Sequence, residues 1–199
     1  FLEKESAMQK PKKCLVFDGG GLPGVKQVGF VEEAEERGID WDMVMTVSVG
    51  ALNGAKFVES GPKALKQYWL AVEKKGPYAV FPFSKFRIAK RIYDGERSLL
   101  PSDSLDRLVA DLNMRKVLDS PIELRVVVKN ESRNRTMVFS NRDPKMQADP
   151  EKFRQIIKAS ASLPPIFPPV IIDGERFSDG YHFPLDGCKD FNLVVVLLN

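Results

Sequence analysis

Histidine and cysteine, two residue types that often direct a functional assignment, are scarce in this sequence. Its 199 residues contain one histidine, His182, and two cysteines, Cys14 and Cys188. With so few cysteines, the simplest expectation is two free thiols in a reducing compartment. The single histidine limits the mechanism. If the chain is a hydrolase, either His182 is the general base or catalysis proceeds without histidine.

Long hydrophobic runs and a large net charge are also missing. No apolar stretch approaches the roughly 20 residues that a membrane-spanning helix needs, and no signal peptide is visible. The 30 basic and 27 acidic residues leave a formal charge of +3, too small to indicate nucleic acid as a partner. We therefore expect a cytoplasmic protein. The sequence does not indicate an oligomeric state.

The composition and the order of apolar segments predict one globular domain. We expect residues 1–13 to be a flexible N-terminal arm and residues 14–199 to form a single domain. The start of that domain alternates strands and helices, and its strands are apolar throughout. This pattern predicts a three-layer α/β/α fold with a largely parallel central sheet. The predicted strands are Cys14–Phe17, Met43–Val47, Glu123–Lys129, Thr136–Ser140, Val170–Ile172, Arg176–Ser178 and a fully buried Leu193–Leu198; the predicted helices are Val25–Arg37, Val49–Glu59, Lys63–Glu73, Ser104–Leu112 and Asp149–Ala161, with one more short helix inside a loop over Gly76–Leu100.

A glycine-rich turn, FDGGGLPG, lies between the first strand and the first helix. Gly19, Gly21 and Gly24 match the G-x-G-x-x-G fingerprint of dinucleotide-binding folds. That fingerprint also expects an acidic residue at the end of the next strand. Asp40 and Asp42 have about the right spacing, but both precede that strand. They therefore lie at its amino end, away from the glycine turn. The turn is therefore either a phosphate site or a cradle for an oxyanion.

Ser48 occupies the end of the second strand that faces this glycine turn. A serine on a sharp strand-to-helix turn projects its hydroxyl out of the sheet, as a nucleophile requires. Its neighbours Gly50, Ala51 and Gly54 are small enough for such a turn. The alternative is an ordinary helix N-cap serine.

Asp179 and Gly180 follow a helix and a proline-rich segment near the end of the chain. An Asp-Gly pair at the end of a strand is most often only a turn. Its position after the glycine turn and Ser48 is what gives it functional interest.

Three segments in this order resemble the patatin-like phospholipase family. They are FDGGGLPG, TVSVGALNGA and KASASLPPIFPPVIIDGERFSDG. The resemblance implies a patatin-like fold and a Ser–Asp dyad without histidine that hydrolyses lipid acyl esters, with no cofactor or metal. Carried over residue by residue, it implies Ser48 as nucleophile and Asp179 as general base, with an oxyanion hole at Gly19, Gly20 and Gly21 and supporting roles for Gly50, Asn53 and Gly180.

Three positions depart from the family's pattern. Thr46 stands at the first glycine of the elbow motif G-x-S-x-G, and Pro23 stands where the glycine turn usually carries a basic residue. Tyr181 takes the last position of the motif D-G-G/A. These departures leave open a non-catalytic, lipid-binding member of the same fold. Nucleotide binding at Gly19–Gly24 is the other alternative.

The segment Val80–Ile92 interleaves aromatic and basic residues. This composition is typical of an element that rests on anionic lipid. We therefore expect peripheral membrane contact there, besides the phospholipid or other acyl-ester lipid that would be the substrate. A lid with packed aromatic side chains is the alternative.

Overall fold

The computed structural model describes residues 12–76, 84–182 and 184–198. Seven strands of this part of the chain form one sheet. They are β1 (Lys13–Phe17), β2 (Met43–Val47), β3 (Glu123–Asn130), β4 (Arg135–Ser140), β5 (Val170–Ile172), β6 (Glu175–Asp179) and β7 (Leu193–Leu197). The helices are α1 (Lys26–Glu36), α2 (Val49–Lys75), α3 (Lys85–Tyr93), α4 (Asp103–Ala110), α5 (Met114–Asp119), α6 (Pro144–Ala148) and α7 (Pro150–Ser160), with short 3-10 helices at Leu22–Val25 and Leu185–Cys188.

The sheet combines a parallel half with an antiparallel half. Strands β7, β1, β2 and β3 are parallel neighbours, whereas β4, β5 and β6 are joined by antiparallel pairs. Helices α2 and α7 pack on the sheet, and α1 packs on α2. The predicted α/β class with a largely parallel sheet is confirmed.

The pairing of β3 brings two distant parts of the sequence together. Strand β4 pairs with Arg125–Asn130 along one edge of β3. The other edge is shared by β2, which ends with Val47 opposite Val127, and by β6, which ends with Asp179 opposite Val128. The carboxyl ends of β2 and β6 therefore meet at neighbouring residues of one strand.

The two faces of the sheet are packed by different parts of the chain. On one face, the large core includes Leu15 and Phe17 and the apolar sides of α1, α2, α5 and α7. The alternate residues of β1 and β2 face the other way. There they pack with Val127 and with Cys188 and Phe191 of the C-terminal segment.

Several predicted elements are confirmed, and others need correction. The break expected near Gly61 is a kink inside α2, where Gly61 has a φ of 79°. Asp149 caps α7 as expected, accepting a hydrogen bond from the Lys152 N–H. Helices α5 and α6 were not predicted, because six and five residues are too few to show a helical period.

The last strand is the clearest error. It was predicted to be fully buried, but Leu193 and Val194 are 46% and 38% exposed. The reason is its position, because β7 lies at the edge of the sheet and pairs only with β1 among the described strands. Strand β1 also begins one residue earlier than expected, at Lys13, and residues 1–11 of the predicted arm lie outside the described residues.

Candidate active site

Ser48 is held in a strained backbone conformation between β2 and α2. Its φ is 58° and its ψ is −130°, a region that residues other than glycine rarely adopt. Close packing around the turn requires small neighbours. A Cβ added at Gly50 would collide with the carbonyl oxygen of Phe17, and one added at Gly54 would collide with the Thr46 methyl group. The conformation expected of a nucleophile elbow is therefore present in the backbone.

Ser160, at the end of α7, holds the Ser48 backbone in place. The Ser48 N–H donates to the Ser160 hydroxyl oxygen at 3.0 Å, and that hydroxyl donates to the Val127 carbonyl at 2.7 Å. Ser160 is completely buried. The sequence reasoning missed this residue. Its signal is a small polar residue on the last turn of α7, inside the segment KASASLPP.

Asp179 lies next to Ser48 at the end of β6. It is 1% exposed, and its N–H donates to the Ser162 carbonyl at 3.1 Å. Its Oδ1 accepts the Tyr181 N–H at 2.8 Å, and the Ser48 side chain lies close enough to lower the pKa of its carboxyl group by hydrogen bonding. Gly180 must lack a side chain, since a Cβ there would lie 2.8 Å from a Val127 methyl group. The two residues that the sequence proposes as a dyad are in contact.

The environment of Asp179 raises the pKa of its carboxyl group above the ordinary value of 3.8. Burial is the main cause, because the ionised form loses its hydration. The nearby Asp18 carboxylate also raises the pKa, whereas the hydrogen bonds from Ser48 and from the Tyr181 N–H and the proximity of His182 lower it. The net upward shift makes Asp179 a stronger proton acceptor than an exposed aspartate.

The glycine turn lies against Ser48. A Cβ at Gly19 would be 3.0 Å from the Ser48 Cβ, and Gly20 and Gly21 have φ values of 142° and 68°. The Gly19 N–H donates to the Asp18 carboxylate at 2.8 Å. In the part of the chain that the structure describes, the N–H groups of Gly20 and Gly21 have no acceptor. These two donors are thus available to a ligand. Gly19, which has no side chain, allows the glycine turn to lie close to Ser48.

A buried polar network anchors the glycine turn to α2. Asn53 donates to the Gly24 carbonyl at 2.9 Å and to the Gln27 side chain at 2.7 Å, and it accepts from the Trp69 indole N–H at 2.8 Å. Gln27 in turn donates to the Asp18 carbonyl at 3.0 Å. Asn53 was expected to support the site, but Gln27 and Trp69 were not recognised, because only tertiary packing brings them to Asn53.

Comparison with known proteins shows the family of the chain. The family model described as patatin-like phospholipase matches residues 15–187. The chain belongs to the patatin-like phospholipase family. Residues 15–187 include the glycine turn, the Ser48 elbow and Asp179.

Individual relatives of this patatin-like chain are similar over limited regions or only in fold. Lysophospholipase nte1 of Aspergillus terreus is 46% identical over 43 residues, which are 22% of this chain and 3% of the relative. VipD of Legionella pneumophila has a structure similar to 94% of this chain and 49% of its own, with a TM-score of 0.55 and 17% identity. The structure of ExoU with SpcU, from Pseudomonas aeruginosa, gives a TM-score of 0.37 and 17% identity over 77% of this chain and 39% of that one. The chain thus spans less than half of the length of these relatives.

The three departures from the patatin pattern are accommodated locally. The Thr46 hydroxyl donates to the Arg125 carbonyl at 3.0 Å on the neighbouring strand. Pro23 lies in the first turn of the 3-10 helix, where its missing N–H is not needed. Tyr181 has a φ of 62°, which glycine would adopt more easily, yet its N–H is positioned to bind Asp179. Each of the three residues therefore fits its own backbone position in this structure.

An apolar cavity of about 300 Å³ opens beside Ser48. Gly20, Gly21 and Ser48 line it together with apolar side chains from α2, α4 and the proline-rich turn, among them Leu52, Val72, Leu105, Leu108, Leu163 and Ile166. A cavity with this lining favours a hydrocarbon chain over a nucleotide.

The acids that a dinucleotide would need are at the opposite end of the sheet. Asp42 accepts the Lys13 N–H at 2.7 Å, and Asp40 forms an ion pair with the Lys13 ammonium group at 2.9 Å. Lys13 is the first residue of β1, whereas the glycine turn follows its last. This placement argues against the nucleotide-binding alternative, as the sequence order already did.

Proposed function

We propose that this patatin-like chain is a serine hydrolase that cleaves the acyl esters of phospholipids or of other acyl-ester lipids. One observation carries the proposal. Ser48 lines an apolar cavity together with Gly20 and Gly21, whose N–H groups have no acceptor among the described residues. The Ser48 side chain also lies beside the Asp179 carboxylate, whose pKa is raised. Family membership and the short match to a lysophospholipase support the lipid class.

In the proposed acylation step, the Ser48 oxygen attacks the ester carbonyl carbon while Asp179 accepts the hydroxyl proton. The carbonyl oxygen becomes an oxyanion that the N–H groups of Gly20 and Gly21 and the N-terminus of α2 stabilise. The bond from the carbonyl carbon to the alcohol oxygen then breaks, and the alcohol leaves with the proton from Asp179. The acyl chain remains on Ser48, inside the cavity.

Water completes the reaction by the same route. The oxygen of a water molecule attacks the acyl carbon while Asp179 accepts a proton from that water. The proton then passes from Asp179 to the Ser48 oxygen when the fatty acid leaves. His182 has no assigned step, because its exposed position places it outside the contact between Ser48 and Asp179.

We also propose that α3 contacts the lipid surface. Phe86 and Tyr93, 79% and 91% exposed, are seven residues apart and so share one face of the helix. The exposed basic residues Lys85 and Arg87 lie on the same short helix. The remainder of the predicted Val80–Ile92 segment, residues 80–83, lies outside the described residues. No described helix is long and apolar enough to cross a bilayer.

The test compares the wild type with Ser48→Ala on short p-nitrophenyl esters and on phospholipid vesicles. The wild type should hydrolyse both, and Ser48→Ala should lose on the order of 10³-fold or more in rate with an unchanged circular dichroism spectrum. Vesicle binding without any wild-type turnover would support the lipid-binding alternative. Turnover by Ser48→Ala near the wild-type rate would exclude Ser48 as the nucleophile.

A further inference from the structure

We propose that Cys14 and Cys188 are a modification site, at which a hydroperoxide converts the two thiols into an intramolecular disulfide. The sequence predicts only two free thiols, 174 positions apart. The structure brings their Sγ atoms to 2.7 Å from each other in a buried environment. A disulfide bond is about 2.05 Å long, so bond formation requires a closure of under about 1 Å.

The surroundings hold the two thiols together. Cys14 lies on β1 and is completely buried, with the Met43 sulfur 3.9 Å from its Sγ. Cys188 ends the 3-10 helix Leu185–Cys188, and the Met45 sulfur lies 3.8 Å from its Sγ. Two rigid elements therefore present the thiols to each other.

The 3-10 helix that carries Cys188 is attached to the sheet by further contacts. The Arg125 guanidinium donates to the Gly187 carbonyl at 2.5 Å and lies 6.0 Å from the centre of the Phe191 ring. Gly187 also packs so closely on Met45 that an added Cβ would overlap the methionine methyl group. This helix is thus fixed on β2 and β3, which keeps Cys188 facing Cys14.

A shared metal ion does not fit this pair. Two thiolates bound to one tetrahedral zinc ion, with Zn–S bonds near 2.3 Å, would lie about 3.8 Å apart. Within the described residues, no cluster of three or more histidine, cysteine, aspartate or glutamate side chains could complete a site. The separation of the sulfur atoms therefore favours a bond between them over a metal ion.

The two thiols have different chemical surroundings, which sets the order of the steps. The hydrogen bond with Cys14 and the charge of Arg125 lower the pKa of Cys188, although burial opposes them. The same hydrogen bond and burial raise the pKa of Cys14. Cys188 is accordingly the thiol that reacts first, and Cys14 is the one that resolves.

The reaction consumes one hydroperoxide for each disulfide. The Cys188 thiolate attacks an oxygen of the peroxide, the O–O bond breaks, and the alkoxide or hydroxide leaves and takes up the proton that Cys188 released. The Cys14 sulfur then attacks the resulting sulfenic acid, and the sulfenic oxygen leaves as water with the Cys14 proton. Two thiols are oxidised, and the peroxide is reduced to an alcohol, or to water if it is hydrogen peroxide.

The disulfide would join two segments that lead to the proposed active site. Strand β1 continues directly into the glycine turn, and the 3-10 helix follows the segment that carries Asp179. Closing a ring of this length restricts the unfolded chain strongly, so we expect the melting temperature to rise by about 5–15 °C on oxidation. The C-terminal segment with β7 would then be covalently tied to the sheet.

The experiment measures thiol content and stability on the full chain. Two samples are compared, one of reduced protein and one of protein treated with hydrogen peroxide. Each is unfolded and alkylated with N-ethylmaleimide, and its intact mass is measured by mass spectrometry. Since the chain has two cysteines, the reduced protein should carry two alkyl groups. The oxidised protein should carry none, be two mass units lighter than the unmodified reduced chain, and melt at the higher temperature.

Matched single variants test the order of the steps. In Cys14→Ala, peroxide should leave a sulfenic acid on Cys188 that dimedone captures, whereas Cys188→Ala should give little adduct. Two alkylated thiols after oxidation of the wild type, a disulfide between two chains on a non-reducing gel, or an unchanged melting temperature of the oxidised protein would each overturn the proposal. The wild-type measurements stand even if a variant fails to fold, and none depends on the hydrolase activity.

Discussion

The Ser48 elbow and helix α3 use polar residues in opposite ways. At the elbow, the polar groups of Thr46, Ser48 and Ser160 are hydrogen-bonded across β2, β3 and α7. In α3, no residue is buried, and the exposed basic residues Lys85 and Arg87 lie on the same helix as the exposed aromatic rings of Phe86 and Tyr93. A site that must hold a reacting geometry is fixed by many contacts, whereas a surface for a fluid lipid layer requires few.

This contrast separates two kinds of effect. Changes at the elbow and at Asp179 should reduce turnover on any ester, because they alter the reacting groups or their positions. Changes in α3 should reduce binding to vesicles and leave the hydrolysis of a soluble ester unchanged.

Asp179→Asn should reduce the rate on a soluble ester by on the order of 10² to 10⁴, the usual contribution of a positioned general base. The asparagine keeps the shape and the hydrogen bond from the Tyr181 N–H but cannot accept the serine proton. Kinetics with a p-nitrophenyl ester measure this loss. If the variant hydrolyses the ester at the wild-type rate, Asp179 is only a turn residue and not the general base.

The same variant should not lose stability. Because the folded-state pKa of Asp179 is raised, burying its ionised form opposes folding above that pKa, and this penalty disappears as the pH falls through it. The neutral asparagine removes the penalty, so its melting temperature at pH 7 should equal or exceed that of the wild type. A marked decrease would attribute the lost activity to unfolding.

The pH–rate profile of the wild type should show the raised pKa directly. Asp179 must be ionised to accept a proton, so activity should fall as the pH decreases through its pKa. We expect the midpoint of this acid limb above 3.8, the ordinary value for aspartate. A midpoint at or below that value would mean that the hydrogen bonds to the carboxylate outweigh its burial.

Ser160→Ala should reduce turnover by about tenfold. It removes the acceptor for the Ser48 N–H and the hydroxyl that donates to the Val127 carbonyl, and a buried N–H left without an acceptor costs about 1–3 kcal/mol of stability. Ser162→Ala is the matched control, since among the described residues the Ser162 hydroxyl bonds only the Lys158 carbonyl of the preceding turn. An equal loss of kcat in both variants would assign Ser160 to general stability instead of the elbow.

The double change Lys85→Glu with Arg87→Glu should weaken binding to anionic vesicles severalfold, because each basic residue near such a surface contributes about 1 kcal/mol. Sedimentation with vesicles measures the binding, and a soluble ester provides the internal control. The matched variant is Lys145→Glu with Lys116→Glu, on helices away from α3. Equal binding by wild type and α3 variant would leave that helix without a membrane role.

His182→Ala should change the rate on the soluble ester by less than about twofold. The side chain is exposed, and its only expected effect is electrostatic, through the pKa of Asp179. Because His182 lowers the pKa of Asp179, its removal should move the acid limb slightly to higher pH. A loss of several orders of magnitude with unchanged stability would instead identify a histidine base.

The sequence predicted those parts of the molecule that short local patterns determine. Strands β1 and β2 and the turns at Ser48 and Asp179 could be located because glycines and apolar runs mark them. The contact between Ser48 and Asp179 could only be inferred from the family resemblance, since it depends on the pairing of β3 with both β2 and β6. The exposure of β7 and the positions of Ser160 and Gln27 depend on tertiary packing, for which a single sequence carries no local signal.

Labelling with a fluorophosphonate tests the central claim most directly. The probe phosphonylates only a serine that a base activates beside an oxyanion site, and peptide mapping identifies the modified residue. We predict one adduct per chain on Ser48 in the wild type, with strongly reduced labelling in Asp179→Asn. No adduct on Ser48 in a folded, vesicle-binding protein, or an adduct on another serine, would contradict the proposed Ser48–Asp179 dyad.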